Sequence, residues 1–354
     1  MVFLFHSFET DYLQIKTSTV YHFVKVTLFG NGNIGVNFFF VLSGFLITHL
    51  LIKEKELNGK INIPKFWFRR ALRIWPLYYF CVAFGFIIFP WLKTMFGQVP
   101  NENASPFYYL TFLNNFDFIK KGVPDASILG VLWSIAIEEQ FYFIWPILLT
   151  IIPMRYYPYF FSCLIMGSLI FRANYDTPMA HEHHTFSCIG DMTIGAFGAF
   201  LMQKEKWKSR IAELSKPCIF TIYLLFIMVF FFRKDILCYN HYTRIFERSF
   251  IAVIGLLIIL EQTFSKNSIF KMSNFKIISN LGTISYGLYC LHFFGILITL
   301  ILTSKLKLNT SLWEVLILKT FCSFVITVIL SKLSYKYFEG IFLQVKNKYS
   351  YFSK

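Results

Sequence analysis

Two adjacent carboxylates, Glu138 and Glu139, stand near the middle of an apolar run of membrane length, residues 128–152. An ionised carboxylate in hydrocarbon costs roughly 2.5–3.5 kcal/mol even on the mildest scales, so such a group has a partner or a task. Helical spacing stacks Ser134, Glu138 and Tyr142 along one stripe, and Glu139 points about 100° away from it. An acid on that stripe can hold a histidine in the right tautomer or stabilise its cation. The competing reading is a structural ion pair with a neighbouring helix.

Four further groups carry usable chemistry. In PKFWFRRALRIWPLYYF, residues 64–80, Arg69 and Arg73 align at helical spacing and Arg70 is offset. Guanidinium forks match phosphate oxygens, although basic residues beside a span also set orientation and touch lipid headgroups. A membrane helix is expected to start at Trp75 and Pro76, where this segment ends. In GNIGVNFFFVLSGFLIT, residues 32–48, Asn37, Ser43 and Gly44 interrupt an apolar run. Gly44 would admit a neighbouring backbone or a ligand chain, and helix packing is the commoner use of such a residue. His6, in MVFLFHSFE, is a lone ionisable ring and by itself reads as a satisfied core histidine. Tyr286, Tyr289 and His292, spaced by three in ISYGLYCLHFF, share a face as packing or as a second lining. HEHH at 181–184 has imidazoles enough for a metal, but no second cluster at ligand spacing, so no metal site is expected.

The elements that must position these groups are helices in a bilayer. The 354 residues are 56% hydrophobic and 20% aromatic, with a mean hydropathy of +0.55, outside the range of soluble domains. A spanning helix needs about 20 apolar residues. Full candidates lie near 35–52, 74–92, 130–152, 158–174, 187–203, 217–232, 245–263, 284–303 and 313–331. A tenth, Met1 to Phe8, would cross less than half of a ~30 Å core at about 1.5 Å per residue. The fold expected is therefore all-α: a polytopic transmembrane helical bundle of about ten helices, the first truncated.

No linker rich in Pro, Gly or Ser divides the chain, so residues 1–354 are expected to form a single integral membrane domain with no soluble accessory domain. Met1 to Phe8 lacks the features of a cleavable signal peptide. Loop Lys and Arg number 21 on the side of the termini against 11 on the other, which predicts cytoplasmic N- and C-termini. The net charge of +15 lies between apolar runs, with no basic stripe interleaved with exposed stacking rings, and this excludes a nucleic-acid partner. Seven cysteines occur singly and read as small buried apolar residues.

Five segments taken together resemble the acyltransferase-3 family of integral membrane acyltransferases. They are VFLFH at 2–6, GVNFFFVLSGFLIT at 35–48, FWFRRALRIWPLYY at 66–79, LWSIAIEEQFYFIWP at 132–146 and ISYGLYCLHF at 284–293, in the family's order over nearly the whole chain. The resemblance implies an O-acyltransferase of the bacterial inner membrane. Its donor would be acyl-CoA, in particular acetyl-CoA, on the cytoplasmic side, with no permanently bound cofactor. Its acceptor would be a hydroxyl of a cell-envelope glycan or lipid-linked sugar.

On that footing His6 would be the general base and Glu138 the first acid of the WSLxVE-like motif. Arg69, Arg70 and Arg73 would form the basic loop that holds the donor's phosphates. Asn37, Ser43, Gly44, Ser134, Tyr142, Tyr286 and His292 are then expected to line the acyl passage or the substrate. The family usually places an arginine further upstream of its histidine than the five residues that precede His6 here. The expectation drawn from this is a misassigned start or a defective copy. An intramembrane acid and imidazole would also suit a transporter or flippase that relays protons or contacts a solute, and transport needs no acyl-CoA site.

Overall fold

Hydrocarbon offers no partner to a backbone N–H or C=O, so each apolar run must satisfy its own hydrogen bonds as a helix. A computed structural model, which describes residues 1–348, is 80% helical and has no strand among those residues. The expected runs become Ile34–Asn58, Ile63–Met95, Trp133–Ile151, Tyr157–Asn174, Thr185–Leu201, Lys216–Ile236, His241–Phe264, Ser285–Lys305 and Glu314–Val345. Val2–Ser7 is a helix of 6 residues. Among the described residues, five helices are long and apolar enough to cross a membrane by length and composition. The count is up to six if Thr185–Leu201 and Glu205–Ala212, bent by 101°, form one span. The protein is an integral membrane protein of the all-α class.

Residue contacts divide the chain into two units that interleave along the sequence. One comprises Ile34–Phe66 and Ser134–Lys276. Here the Ile34–Asn58 and Thr185–Leu201 helices approach backbone to backbone. A Cβ on Gly44 would lie 1.9 Å from the Met192 carbonyl oxygen, and one on Gly195 would lie 2.0 Å from that of Val41. Small residues are what permit such an approach between membrane helices. Val41, Phe45, Ile194, Ala199, Ala252 and Ile259 fill the layer around it. Lys55 Nζ donates to the Leu149 carbonyl at 2.5 Å and to that of Ile152 at 3.2 Å. It thereby supplies cationic donors to the carbonyl end of the Trp133–Ile151 helix.

The other unit comprises Met1–Asn33, Trp67–Trp133 and the chain from Ile277. Ser285–Lys305 packs on Thr320–Leu333, and a Cβ on Gly295 would meet Thr327 Oγ1 at 2.1 Å. Val2–Ser7 rests on both of these helices. One expectation is corrected here. The second long helix starts at Ile63 rather than at Trp75, and Pro76 lies inside it. Membrane helices tolerate an internal proline, so the arginine segment and the span form one rod.

Residues 93–129, between two of the apolar runs, are ordered as well. The segment folds back along the rod through short helices at Pro106–Leu110, Asn114–Lys121 and Ser127–Gly130. The Phe112 ring lies 5.7 Å from Trp75 and 4.5 Å from Tyr78, while Lys93 pairs with Asp125 at 2.7 Å. Two of its polar contacts are internal: Tyr78 OH donates to the Tyr109 carbonyl at 2.7 Å, and the Ser105 amide donates to Asp117 Oδ2 at 2.8 Å.

Gly44→Val should cost about 1–3 kcal/mol or more, because the Met192 backbone cannot yield as a side chain would. Gly167→Ala, where a Cβ meets nothing within 4 Å, should leave stability unchanged or slightly raised. Thermal unfolding in detergent, followed by size-exclusion chromatography, compares the two variants.

Candidate active site

Glu138 is 3% exposed on the Trp133–Ile151 helix. The hydroxyls that meet it come from its own helix and from Ile34–Asn58. Ser43 Oγ donates to Glu138 Oε1 at 2.6 Å, and the Tyr142 hydroxyl donates to the same oxygen. The Ser43 and Tyr142 oxygens are themselves 2.5 Å apart. Two hydroxyl donors thus do for this carboxylate what water does outside the membrane. Ser134 is buried one turn before Glu138, and Tyr142 leans edge-on against Phe66 at 6.4 Å. One turn further on, Trp145 Nε1 donates to Thr48 Oγ1 at 2.8 Å, which repeats the bond between the same two helices.

Sequence reasoning missed a second intramembrane acid in this unit. Asp191, fully buried on Thr185–Leu201, accepts from Asn37 Nδ2 at 3.1 Å and from Arg248 Nη2 at 2.5 Å. Asn37 was singled out as a lining residue, and here it binds this carboxylate. A lone acid in an apolar run was the same signal that marked Glu138, and Arg248 was a lone base in another. Gly44 is closed off by Met192, so the structure uses its missing side chain for helix packing.

In the other unit the imidazoles meet. The His6 and His292 ring centroids lie 5.4 Å apart, with Phe5 and Phe293 each 4.9 Å from His6. His292 Nδ1–H donates to the Tyr289 carbonyl at 2.5 Å, which fixes the ring. Tyr286 and Tyr289, placed by the sequence on the same face, turn their hydroxyls to backbone carbonyls. Tyr286 donates to Ile74 at 2.7 Å and Tyr289 to Val131 at 2.8 Å.

Arg69, Arg70 and Arg73 are half-buried on the Ile63–Ala83 helix. Arg73 lies within electrostatic reach of Glu339, a buried acid that accepts from Ser334 Oγ at 2.8 Å. The imidazoles of HEHH serve the backbone. His181 Nε2–H donates to the Arg172 carbonyl at 3.0 Å, His183 Nδ1–H donates to Met179 at 3.2 Å, and His184 Nδ1 accepts from the Phe186 amide. Burial pushes the His183 imidazole below its ordinary value, while Glu182 opposes the shift. Among the described residues, no three His, Cys, Asp or Glu side chains gather in a way that could hold a metal.

Each unit thus buries ionisable groups among apolar helices, and comparison with known proteins identifies the class of protein. A family profile described as an acyltransferase domain matches residues 1–335, and the chain belongs to that family, acyltransferase-3. The family's enzymes transfer acyl groups other than aminoacyl groups. The chain is 27% identical over 325 residues to the peptidoglycan O-acetyltransferase OatA of Listeria monocytogenes, covering 87% of this chain and 51% of that one. A putative O-acetyltransferase of Staphylococcus aureus is 29% identical over 295 residues, 77% of this chain and 47% of its own. The O-acetyltransferase OatA of Staphylococcus aureus is 34% identical over 146 residues, 39% of this chain and 23% of its own. The chain thus spans about half the length of the first two relatives, or less. No solved structure matches it.

Asp191→Ala leaves Arg248 charged and buried, and should cost about 3–5 kcal/mol. The double variant Asp191→Leu with Arg248→Met should recover most of that loss, since replacing a buried pair with apolar groups is often neutral. A double-mutant cycle on thermal unfolding in detergent checks this, and additive losses would contradict the pairing.

Proposed function

We propose that this chain is a membrane-embedded O-acetyltransferase. It would move an acetyl group from cytoplasmic acetyl-CoA to a hydroxyl of a cell-envelope glycan, either peptidoglycan or a lipid-linked precursor sugar. The observation that carries the reading is Glu138, sealed in an apolar span and held by Ser43 and Tyr142, in a chain whose family match covers residues 1–335. The relatives' printed names support the acceptor class.

In this reaction His6 takes the proton of the acceptor hydroxyl as its oxygen attacks the thioester carbonyl. The carbon–sulfur bond breaks, the ester forms, and the coenzyme A thiolate leaves and takes up the proton from the imidazolium. General-base help of this kind contributes about 10²–10⁴-fold. Arg69, Arg70 and Arg73 bind the donor's phosphates, with Lys60 of the adjoining loop raising the local positive potential. Asn37, Ser43, Ser134, Tyr142, Tyr286 and His292 belong to the lining, and Gly44 serves it by letting the Thr185–Leu201 helix close. The surrounding helices keep water from hydrolysing the thioester. The chain acts as one integral domain of the bacterial inner membrane with both ends cytoplasmic.

Proteoliposomes carrying the protein, supplied with labelled acetyl-CoA and a glycan acceptor, should release coenzyme A and label the glycan. His6→Ala and Glu138→Ala should each lower turnover, His6→Ala by about 10²-fold or more. Arg69→Ala combined with Arg73→Ala should raise KM for the donor about tenfold or more with kcat little changed. Equal turnover in all four proteins would overturn the assignment.

A further inference from the structure

His292 is 1% exposed, and its neighbours decide which nitrogen carries its proton. A carbonyl oxygen only accepts, so the Nδ1 nitrogen held 2.5 Å from the Tyr289 carbonyl bears the hydrogen. The neutral ring then presents a bare lone pair at Nε2. That nitrogen is buried and, among the described residues, has no hydrogen-bond partner. An acceptor left unmet in an apolar interior costs about 1–3 kcal/mol, so its persistence calls for a donor nearby.

The surroundings restrict what the donor is. Phe293 offers no N–H or O–H, and the Tyr289 hydroxyl is committed to the Val131 carbonyl at 2.8 Å. The remaining ring against His292 is His6, with centroids 5.4 Å apart and planes inclined at 33°. Two imidazoles joined in line by an N–H···N bond of ~2.9–3.0 Å have their centroids about 5.2 Å apart. The spacing therefore already fits, and only the orientation of the His6 ring has to follow.

We propose that His292 is a positioning residue for His6: its Nε2 accepts the ring N–H of His6, so that the other His6 nitrogen is held bare and directed at the acceptor hydroxyl. This rests on the reading of His6 as the base. In the Ser-His-Asp triad a buried carboxylate fills this place behind the histidine. In a cluster walled by Phe5 and Phe293 a second imidazole fills it without adding a buried negative charge. When His6 takes the acceptor's proton, the shared N–H stabilises the new cation toward the lone pair of His292. No atom is consumed, and both rings return to neutral once the proton passes to the leaving thiolate.

The test compares His292→Phe and His292→Gln with the unmodified protein in the proteoliposome assay, with labelled acetyl-CoA and matched amounts of inserted protein. His292→Phe keeps the ring volume and removes the acceptor. His292→Gln changes the shape and keeps one. If His292 positions His6, His292→Phe lowers kcat about 10²-fold with KM for the donor unchanged, and His292→Gln retains a tenth or more of the unmodified turnover. A residue that only packs gives the reverse order, with Phe the better replacement. Unimpaired turnover in His292→Phe, or an equal fall in both variants, overturns the pairing while leaving the transferase reading standing. Absence of transfer by the unmodified protein removes that reading, and the pairing with it.

Discussion

Within the apolar interior every ionisable group must be supplied with partners by the protein itself, because water is not there to do it. In the unit built from Ile34–Phe66 and Ser134–Lys276, one helix contributes to two of them. Ile34–Asn58 gives Ser43 to Glu138 and Asn37 to Asp191, so two acids from two neighbouring helices are served by residues less than two turns apart. These short side chains have little reach. They meet their acids because Gly44 and Gly195 let the backbones come together, which a Cβ at either position would prevent. Helix packing and site geometry therefore have one cause here.

The unit that holds His6 solves the same problem with neutral groups. Tyr286, Tyr289 and His292 all donate to backbone carbonyls, at Ile74, Val131 and Tyr289. Val131 lies in the break between the Ser127–Gly130 turn and the Trp133–Ile151 helix. The Tyr289 hydroxyl donates to its carbonyl, a bond of the kind that lets irregular backbone persist in a membrane protein. Polar side chains that read from sequence as a possible lining thus first repair the backbone. The Nε2 nitrogen of His292, by contrast, has no hydrogen-bond partner among the described residues.

Sequence alone showed the helices, since hydrophobicity over about 20 residues is a property of the chain itself. It also placed Ser134, Glu138 and Tyr142 on one stripe, because helical periodicity decides that before any neighbour is known. Partnership was not legible in this way. That Ser43 meets Glu138, or that Asn37 meets Asp191, depends on which helices lie side by side. The start of the Ile63–Met95 rod was misread for a related reason. Pro76 ends helices in water, whereas in hydrocarbon the helix is the only way to satisfy the backbone around it. The folded segment after Lys93 was hidden because its order comes from specific bonds, such as Tyr78 to Tyr109 and Lys93 to Asp125, rather than from periodic apolar faces.

The continuity of that rod changes what its arginines can do. On a loop, three guanidiniums would have to be ordered at the moment a phosphate arrives, and each long side chain costs up to about 2 kcal/mol in lost rotamer freedom on top of the backbone cost. On the Ile63–Ala83 helix the backbone is already fixed, and Arg69 and Arg73 stand one turn apart on one face with Arg70 beside them. Their spacing is therefore set before any ligand binds, and binding need order only the side chains. Arg73 also lies within electrostatic reach of Glu339, itself held by Ser334. In the proposed reading a phosphate would therefore meet three guanidiniums on a backbone that is already ordered.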